Sequence, residues 1–280
     1  QFQPGLPGET FDLELELKAK SFGLEKANIN PIKSGMINKN YLITNGKKFV
    51  LREVDEPNER KLDFEIKFIE YLESKNINVP KIIKTKDGKN YIKKEKMYLL
   101  QTFIEGIKPQ YSQSECELIA SELAKMHLAS EKFNIIELPA FRAKDLFNFS
   151  FDQNVEIKYY PEFIDKFPEI EKKLNEMVEI RKCLTKEMYL IRDGLPGGII
   201  HNDLSDDNII ISNNHAFFID FDFMCKGKFV SDIASAIYYA ILPAPKHAKE
   251  ISRRFLETYN RIRPTTINEE NVLDNTILHQ

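Results

Sequence analysis

The sequence predicts an α+β chain of two lobes, a small β-rich lobe over residues 1–103 and a larger, mainly helical lobe over 104–280. Three observations predict it. Short apolar runs separated by turn residues crowd into residues 36–103, and after Glu105-Gly106 the apolar spacing becomes helical. The length of 280 residues also exceeds the commonest single-domain size without reaching three domains.

The elements follow in order. Asn40–Thr44 and Lys48–Arg52 flank Asn45-Gly46, a pair that suits a tight type I′ hairpin turn. From Lys61 to Lys75, Leu62, Ile66, Ile69 and Leu72 recur at helical spacing with Phe64, Phe68 and Tyr71, and charged residues fill the rest. Val79–Ile83, Asn90–Ile92 and Met97–Phe103 read as strands, with Asp87-Gly88 turning between the first two. Ser114–Ser130 is an amphipathic helix with Ser114 as its N-cap and Leu118, Leu123, Met126 and His127 toward one side. Phe163–Leu190 carries Ile170, Leu174, Met177, Ile180 and Leu184 among charges, the pattern of a surface helix. Ile209–Ile211 and Phe217–Ile219 enclose the turn-forming Ser212–His215 and make a second hairpin. Ser231–Leu242 is nearly all apolar, a buried helix ended by Pro243 and Pro245. There is no internal repeat or low-complexity tract.

Bulk properties exclude several classes. Hydrophobic residues at 42% and charged residues at 30% are ordinary for a soluble enzyme, and a net charge of -3 gives no basic field for nucleic acid. The N-terminus lacks the basic start and apolar run of a secretory signal, and no later segment approaches 18 uninterrupted apolar residues, so a cytoplasmic, membrane-free protein is expected. Cys116, Cys183 and Cys225 are odd in number and form no C-x-x-C pair, and read as reduced packing residues.

The chemistry concentrates in His201-Asn202-Asp203-Leu204-Ser205-Asp206-Asp207-Asn208 and in Asp220 after the second hairpin. Phosphoryl transfer from ATP asks little covalent chemistry of a protein. It needs a base to position the acceptor hydroxyl and oxygen ligands for the magnesium that neutralises the phosphates. The spacing H-x-D-x-x-x-x-N followed by an Asp at a strand end supplies these: Asp203 as base, Asn208 and Asp220 as metal ligands. The hairpin would bring Asn208 and Asp220 to one cation. Arg52 ends a strand and Glu65 lies on the next helix, fit for a phosphate-touching cation oriented by a carboxylate; the alternative is a solvated surface pair. Gly35 and Asn38, ahead of the first hairpin, can turn a backbone over phosphates or form an ordinary turn, and no G-x-G-x-x-G is present. Gln101 to Phe103, at the connector, is where adenine would meet backbone. Asp206 and Asp222 would present charge to a substrate, or serve metal-site electrostatics and helix capping. His201 reads as a satisfied structural imidazole.

With these residues in place, the chain resembles the aminoglycoside phosphotransferase and choline kinase superfamily, and the resemblance runs nearly end to end. It rests on Gly35–Tyr41, Phe49–Arg52, Glu65 before Tyr71-Leu72, Val79-Pro80, Met126–Ala129 and the HNDLSDDN to IDFD block, in the superfamily's order. The resemblance implies a two-lobed protein-kinase-like fold, ATP and Mg2+ as cofactors, and phosphorylation of a small-molecule hydroxyl. It also implies that Asp232 braces the catalytic loop. Leu195–His201, Met126–Ala129 and Tyr259–Thr266 with Glu269 are similar to homoserine-kinase-like members. Two departures stand out. Asn202 replaces a common Gly, and the chain stops soon after Leu273 where relatives continue, which implies either truncation of the second lobe or a less enclosed substrate pocket.

A small-molecule kinase therefore leads, ahead of a catalytically silent nucleotide-binding module and of a protein kinase. The complete set of Asp203, Asn208 and Asp220 opposes silence, and Asp220-Phe221-Asp222 in place of D-F-G opposes a protein kinase. The expected acceptor is an amino alcohol such as homoserine, with aminoglycosides, choline or ethanolamine, and sugars as alternatives. Choline is disfavoured by the absence of Trp for a cation-π cage. An amino-acid acceptor needs a cation for its carboxylate, with Arg142, Lys144 and Arg192 as unplaced candidates.

Overall fold

The structure, a computed structural model, describes residues 9–32, 38–54, 58–133 and 194–279 and the single helical positions 169, 172, 173, 176 and 179. Gly35, Cys183, Arg142, Lys144, Arg192 and nearly all of the expected helix over 163–190 lie outside the described residues. The chain divides into two compact units, Gln1–Ile107 with Ile210–Ile219, and Lys108–Ile209 with Asp220–Gln280.

The first unit is built on a six-stranded antiparallel sheet. Its strands are β1 (Asn28–Ile32), β2 (Lys39–Asn45), β3 (Lys47–Val54), β4 (Ile82–Ile83), β5 (Tyr91–Lys93) and β6 (Met97–Thr102), in the order β1-β2-β3-β6-β4 with β5 also on β6. Pro31 sits in β1, an edge strand, the place in a sheet where proline is tolerated. Strand alternation then sorts the core onto two faces. Tyr98 and Leu100 of β6 pack with Leu51 of β3 and with Leu15, Ala19 and Phe22 of or just beyond α1 (Glu9–Ser21). Met97 and Leu99 point the other way, onto Leu62 and Ile66 of α2 (Glu59–Ser74). Asn58 caps α2 by accepting from the Lys61 amide at 3.2 Å.

The first hairpin forms, but its turn differs from the expected type I′. Thr44 faces Lys48, and Gly46 (φ +64°) rather than Asn45 takes the left-handed conformation. Type I′ needs positive φ at both central residues. The Asn45 side chain instead donates to the Glu25 carbonyl at 3.0 Å, which is compatible with a backbone still paired in the strand. The second hairpin joins β8 (Ile209–Ser212) to β9 (His215–Phe218). Here Asn213 (φ +47°) and Asn214 (φ +64°) do supply a two-residue left-handed turn. This hairpin groups with the first unit because Ile107 and Ile211 exchange backbone bonds of 3.1 and 2.8 Å and the Phe218 amide donates to the Asn78 carbonyl.

The second unit is helical around a two-stranded pair, β7 (Gly197–Ile200) with β10 (Cys225–Lys228). A Cβ on Gly197 would fall on the Gly227 carbonyl across the pair, so a larger residue at 197 would force these strands apart. Among the described residues its helices are α3 (Gln113–Ser130), α4 (Phe229–Ile241), α5 (Ala248–Asn260) and α6 (Ile267–His279), with α3 packed on α5 and α4 on α6. The cap of α3 is Ser112, not Ser114. Glu115 stands three residues after Ser112, so the Ser112 hydroxyl accepts from the Glu115 amide while the Glu115 carboxylate accepts from the Ser112 amide at 2.9 Å. The buried helix α4 stops at Ile241, before the residue that precedes Pro243.

Candidate active site

In the second unit, β7 delivers the chain into His201, Asn202 and Asp203. Ser130, at the end of α3, holds that strand in place by donating to the Ile199 carbonyl at 2.8 Å. His201 is fully buried and its ring lies 4.6 Å from that of Phe221. Asp232, on the first turn of α4 and 1% exposed, accepts from the His201 amide with Oδ2 and from the Asn202 amide with Oδ1, each at 2.8 Å. The two successive amides are thus gripped by one carboxylate. Asn202 adopts φ +65°, a conformation open to Gly and tolerated by Asn, and its Nδ2 donates to the Phe223 carbonyl at 3.2 Å. The departure from the superfamily's Gly therefore keeps the backbone path that a glycine would allow.

Asp203 follows, half-buried, and the short 3-10 turn Asp206–Asn208 brings Asn208 back to it. Both donor bonds of Asn208 run to Asp203: Nδ2 donates to the carbonyl at 2.8 Å and to Oδ2 at 2.7 Å. With the amide nitrogen so committed, Asn208 offers Oδ1, a hard oxygen, to any other partner. Asp220 is exposed and left-handed (φ +61°, ψ +73°), an uncommon conformation for a non-glycine residue. Asp222, half-buried, lies in the following turn Phe221–Phe223. Asp207 pairs with Lys108, and this contact raises the lysine's proton affinity. Asp206 is half-buried beside it.

A buried chain of polar groups backs Asp232. His127 of α3 lies 3.2 Å from Asp232 Oδ2 through Nε2 and 2.7 Å from the Tyr259 hydroxyl through Nδ1. Arg263 Nη1 donates to Tyr259 at 3.2 Å and to Glu269 at 3.0 Å, and Nε donates to Glu131 at 3.0 Å. Arg263 can only donate, which favours one direction along the chain. Arg263 donates to Tyr259, Tyr259 to Nδ1, and Nε2–H to Asp232, so a neutral His127 satisfies every bond. Burial pushes the His127 pKa below 6.5, against the pull of Asp232.

In the first unit, Arg52 of β3 faces Leu99 across the ladder and so shares the face that Leu99 turns to α2. There Glu65 meets it: Nη2 lies 2.8 Å from both Oε1 and Oε2. Exposures of 4% and 1% exclude the solvated surface pair weighed as the alternative. Gln101 lies on β6, half-buried, opposite Val50. The half-buried Phe103 donates its amide to the Lys48 carbonyl at 3.2 Å just past the strand end. Asn38 lies in the bend immediately before β2 and is half-buried. The structure thus joins Arg52 to Glu65, Asp203 to Asn208, and Asp232 to the His201 and Asn202 amides. His127 and Tyr259 as partners of one network went unread in the sequence, because residues 132 apart carry no pairing signal.

Residues 28–265 match the family model described as APH, phosphotransferase enzyme family. The chain belongs to this family. Two relatives illustrate its sequence neighbourhood within the family. The homoserine kinase of Neisseria meningitidis serogroup B is 26% identical over 256 residues, covering 88% of this chain and 77% of the relative. The homoserine kinase of Agrobacterium fabrum is 27% identical over 241 residues, covering 83% and 70%. Among solved structures, an amicoumacin kinase in complex with AMP-PNP, Ca2+ and amicoumacin matches with a TM-score of 0.68 at 15% identity, over 97% of this chain and 83% of that one. A microcompartment-associated aminopropanol kinase matches with a TM-score of 0.68 at 16% identity, over 96% and 86%. The kinase-like α+β fold expected from the sequence is therefore shown, and the APH chain is a phosphotransferase. Among the described residues no helix is long and apolar enough to cross a membrane.

Proposed function

We propose that the chain is an ATP-dependent kinase that transfers the γ-phosphoryl group to the hydroxyl of a small amino alcohol, with homoserine as the leading acceptor. The observation that carries the reading is the Asp203–Asn208 contact on a loop whose two amides are held by Asp232. The similarity to homoserine kinases supports the choice of acceptor.

In this reading Asp203 accepts the proton of the acceptor hydroxyl. The Asn208 amide fixes the orientation of that carboxylate, so the base does not have to be ordered at each turnover. Asn208 Oδ1 and an Asp220 carboxylate oxygen suit Mg2+, a hard cation that completes its shell with phosphate oxygens and water. When bound, Mg2+ supplies charge neutralisation on the phosphates. Among the described residues no group of three or more His, Cys, Asp or Glu side chains is placed to hold a metal ion. Arg52, locked by Glu65, supplies a fixed charge for the nucleotide phosphates, and Gly35, Asn38, Gln101 and Phe103 contribute to nucleotide binding. Asp206 and Asp222 would present charge to the acceptor.

The test is a coupled ADP-release assay with homoserine, ethanolamine, choline, hexosamines and kanamycin at equal concentration. Homoserine is expected to show the highest kcat/KM. Kanamycin or choline exceeding it by about tenfold, a preference of roughly 1.4 kcal/mol, overturns the assignment of the acceptor.

A further inference from the structure

The segment that leads into α3 carries an aromatic side chain in an unusual state. Tyr111 adopts φ +54°, and its hydroxyl is buried with no hydrogen-bond partner among the described residues. A bulky residue in the left-handed region is a strained choice, and a buried hydroxyl without a partner forfeits roughly 1–3 kcal/mol. The surrounding bonds hold the strain in place. Lys108 pairs with Asp207, Gln110 and Ser112 donate their amides to the Glu115 carboxylate at 3.2 and 2.9 Å, and Cys116 Sγ donates to the Tyr111 carbonyl at 3.5 Å. None of these bonds uses the Tyr111 hydroxyl.

The charge acting most strongly on that hydroxyl is a carboxylate. Burial and then the charge of Asp206 hold the phenol protonated well beyond neutral pH. Tyr239 of α4, edge-on to Tyr238 at 5.4 Å, is likewise kept protonated, first by burial and then by Asp203 and Asp206. The Lys108–Asp207 contact sets the segment that carries Tyr111 beside the turn Asp206–Asn208, which follows Asp203 in the same loop. A phenol oxygen and a carboxylate are both acceptors toward a cation, and an ammonium group brings three donors.

We propose that the Tyr111 hydroxyl, together with the Asp206 carboxylate, receives the ammonium group of the acceptor and so sets the preference for amino alcohols. This rests on the proposed kinase reading and adds a specificity residue to it.

The experiment compares the wild-type protein and Tyr111→Phe with homoserine and with 4-hydroxybutyrate, which is homoserine without its amine. Removing an unpartnered hydroxyl leaves the thermal midpoint unchanged or raised, so a folding defect does not mimic the result. With homoserine, kcat/KM is expected to fall about 10- to 100-fold, while KM for ATP stays unchanged and 4-hydroxybutyrate changes by less than about threefold. Asp206→Asn is expected to erase the same discrimination. Equal losses with both acceptors, or no loss with either, overturn the role of Tyr111 while leaving the kinase reading intact. A wild-type protein that phosphorylates no amino alcohol overturns the proposed acceptor class, and this inference with it.

Discussion

Asp232 is the residue whose removal the structure prices most directly. It accepts from the His201 amide, the Asn202 amide and His127 Nε2, all buried or half-buried. In Asp232→Asn one oxygen remains, so one of the two loop amides faces an NH2 group instead of an acceptor. Leaving a buried donor unsatisfied costs about 1–3 kcal/mol. Asp232→Ala orphans all three donors, which sets a loss of at least about 3 kcal/mol against a total stability of roughly 5–15 kcal/mol. Urea unfolding followed by circular dichroism gives these differences from the shift in midpoint at constant slope. Turnover should fall in both variants, because the displaced loop carries Asp203, while KM for ATP changes little. An Asn variant within about 0.5 kcal/mol of wild type, with turnover intact, refutes the idea that this carboxylate holds the loop.

Other consequences are equally open to measurement. Arg52→Ala and Glu65→Ala each remove one member of a buried ion pair, so each should lose about 3–5 kcal/mol, and a double-mutant cycle should show strong coupling; strict additivity means the pair does not act as a unit. Asp220→Asn keeps a residue that tolerates the left-handed backbone but removes the carboxylate, so calorimetry should show weakened Mg-dependent ATP binding, and unchanged affinity places the metal elsewhere. His127 is neutral in the fold and takes up a proton on unfolding once the pH falls below 6.5, its ordinary value. Its contribution is fully present above that pH and is lost as the pH drops from 6.5 toward the depressed folded value. The wild-type stability should therefore fall more steeply over that acidic range than the stability of His127→Gln, and parallel profiles contradict a neutral buried imidazole.

Much of this architecture was legible because its signals are local. Asn45-Gly46 and Ser212–His215 mark the two hairpins, the apolar spacing of 61–75 marks α2, and the nearly all-apolar run before Pro243 marks α4. The features that the sequence hides have physical causes too. Helix α1 is hard to read because Leu13-Glu14-Leu15-Glu16-Leu17 alternates like a strand, while the pattern that matters is Leu15, Ala19 and Phe22 at helical spacing. Ser114 and Ser112 are both plausible caps, and only the Glu three residues on separates them. In the candidate site, the order of His201, Asp203, Asn208 and Asp220 is visible in one stretch of chain. The burial of Arg52 with Glu65, the left-handed Asn202 and Asp220, and the stranded hydroxyl of Tyr111 arise from tertiary packing, and no neighbouring residue announces them.

The role of Asp203 is tested most directly by following transfer of labelled γ-phosphate from ATP to homoserine in the wild type and in Asp203→Asn, with nucleotide affinity measured alongside. Asparagine keeps the shape and a contact to Asn208 but cannot accept the hydroxyl proton, so turnover should fall by at least about 10²-fold with ATP affinity preserved. Transfer by Asp203→Asn within a few-fold of wild type would contradict a base at this position and, with it, the proposed mechanism.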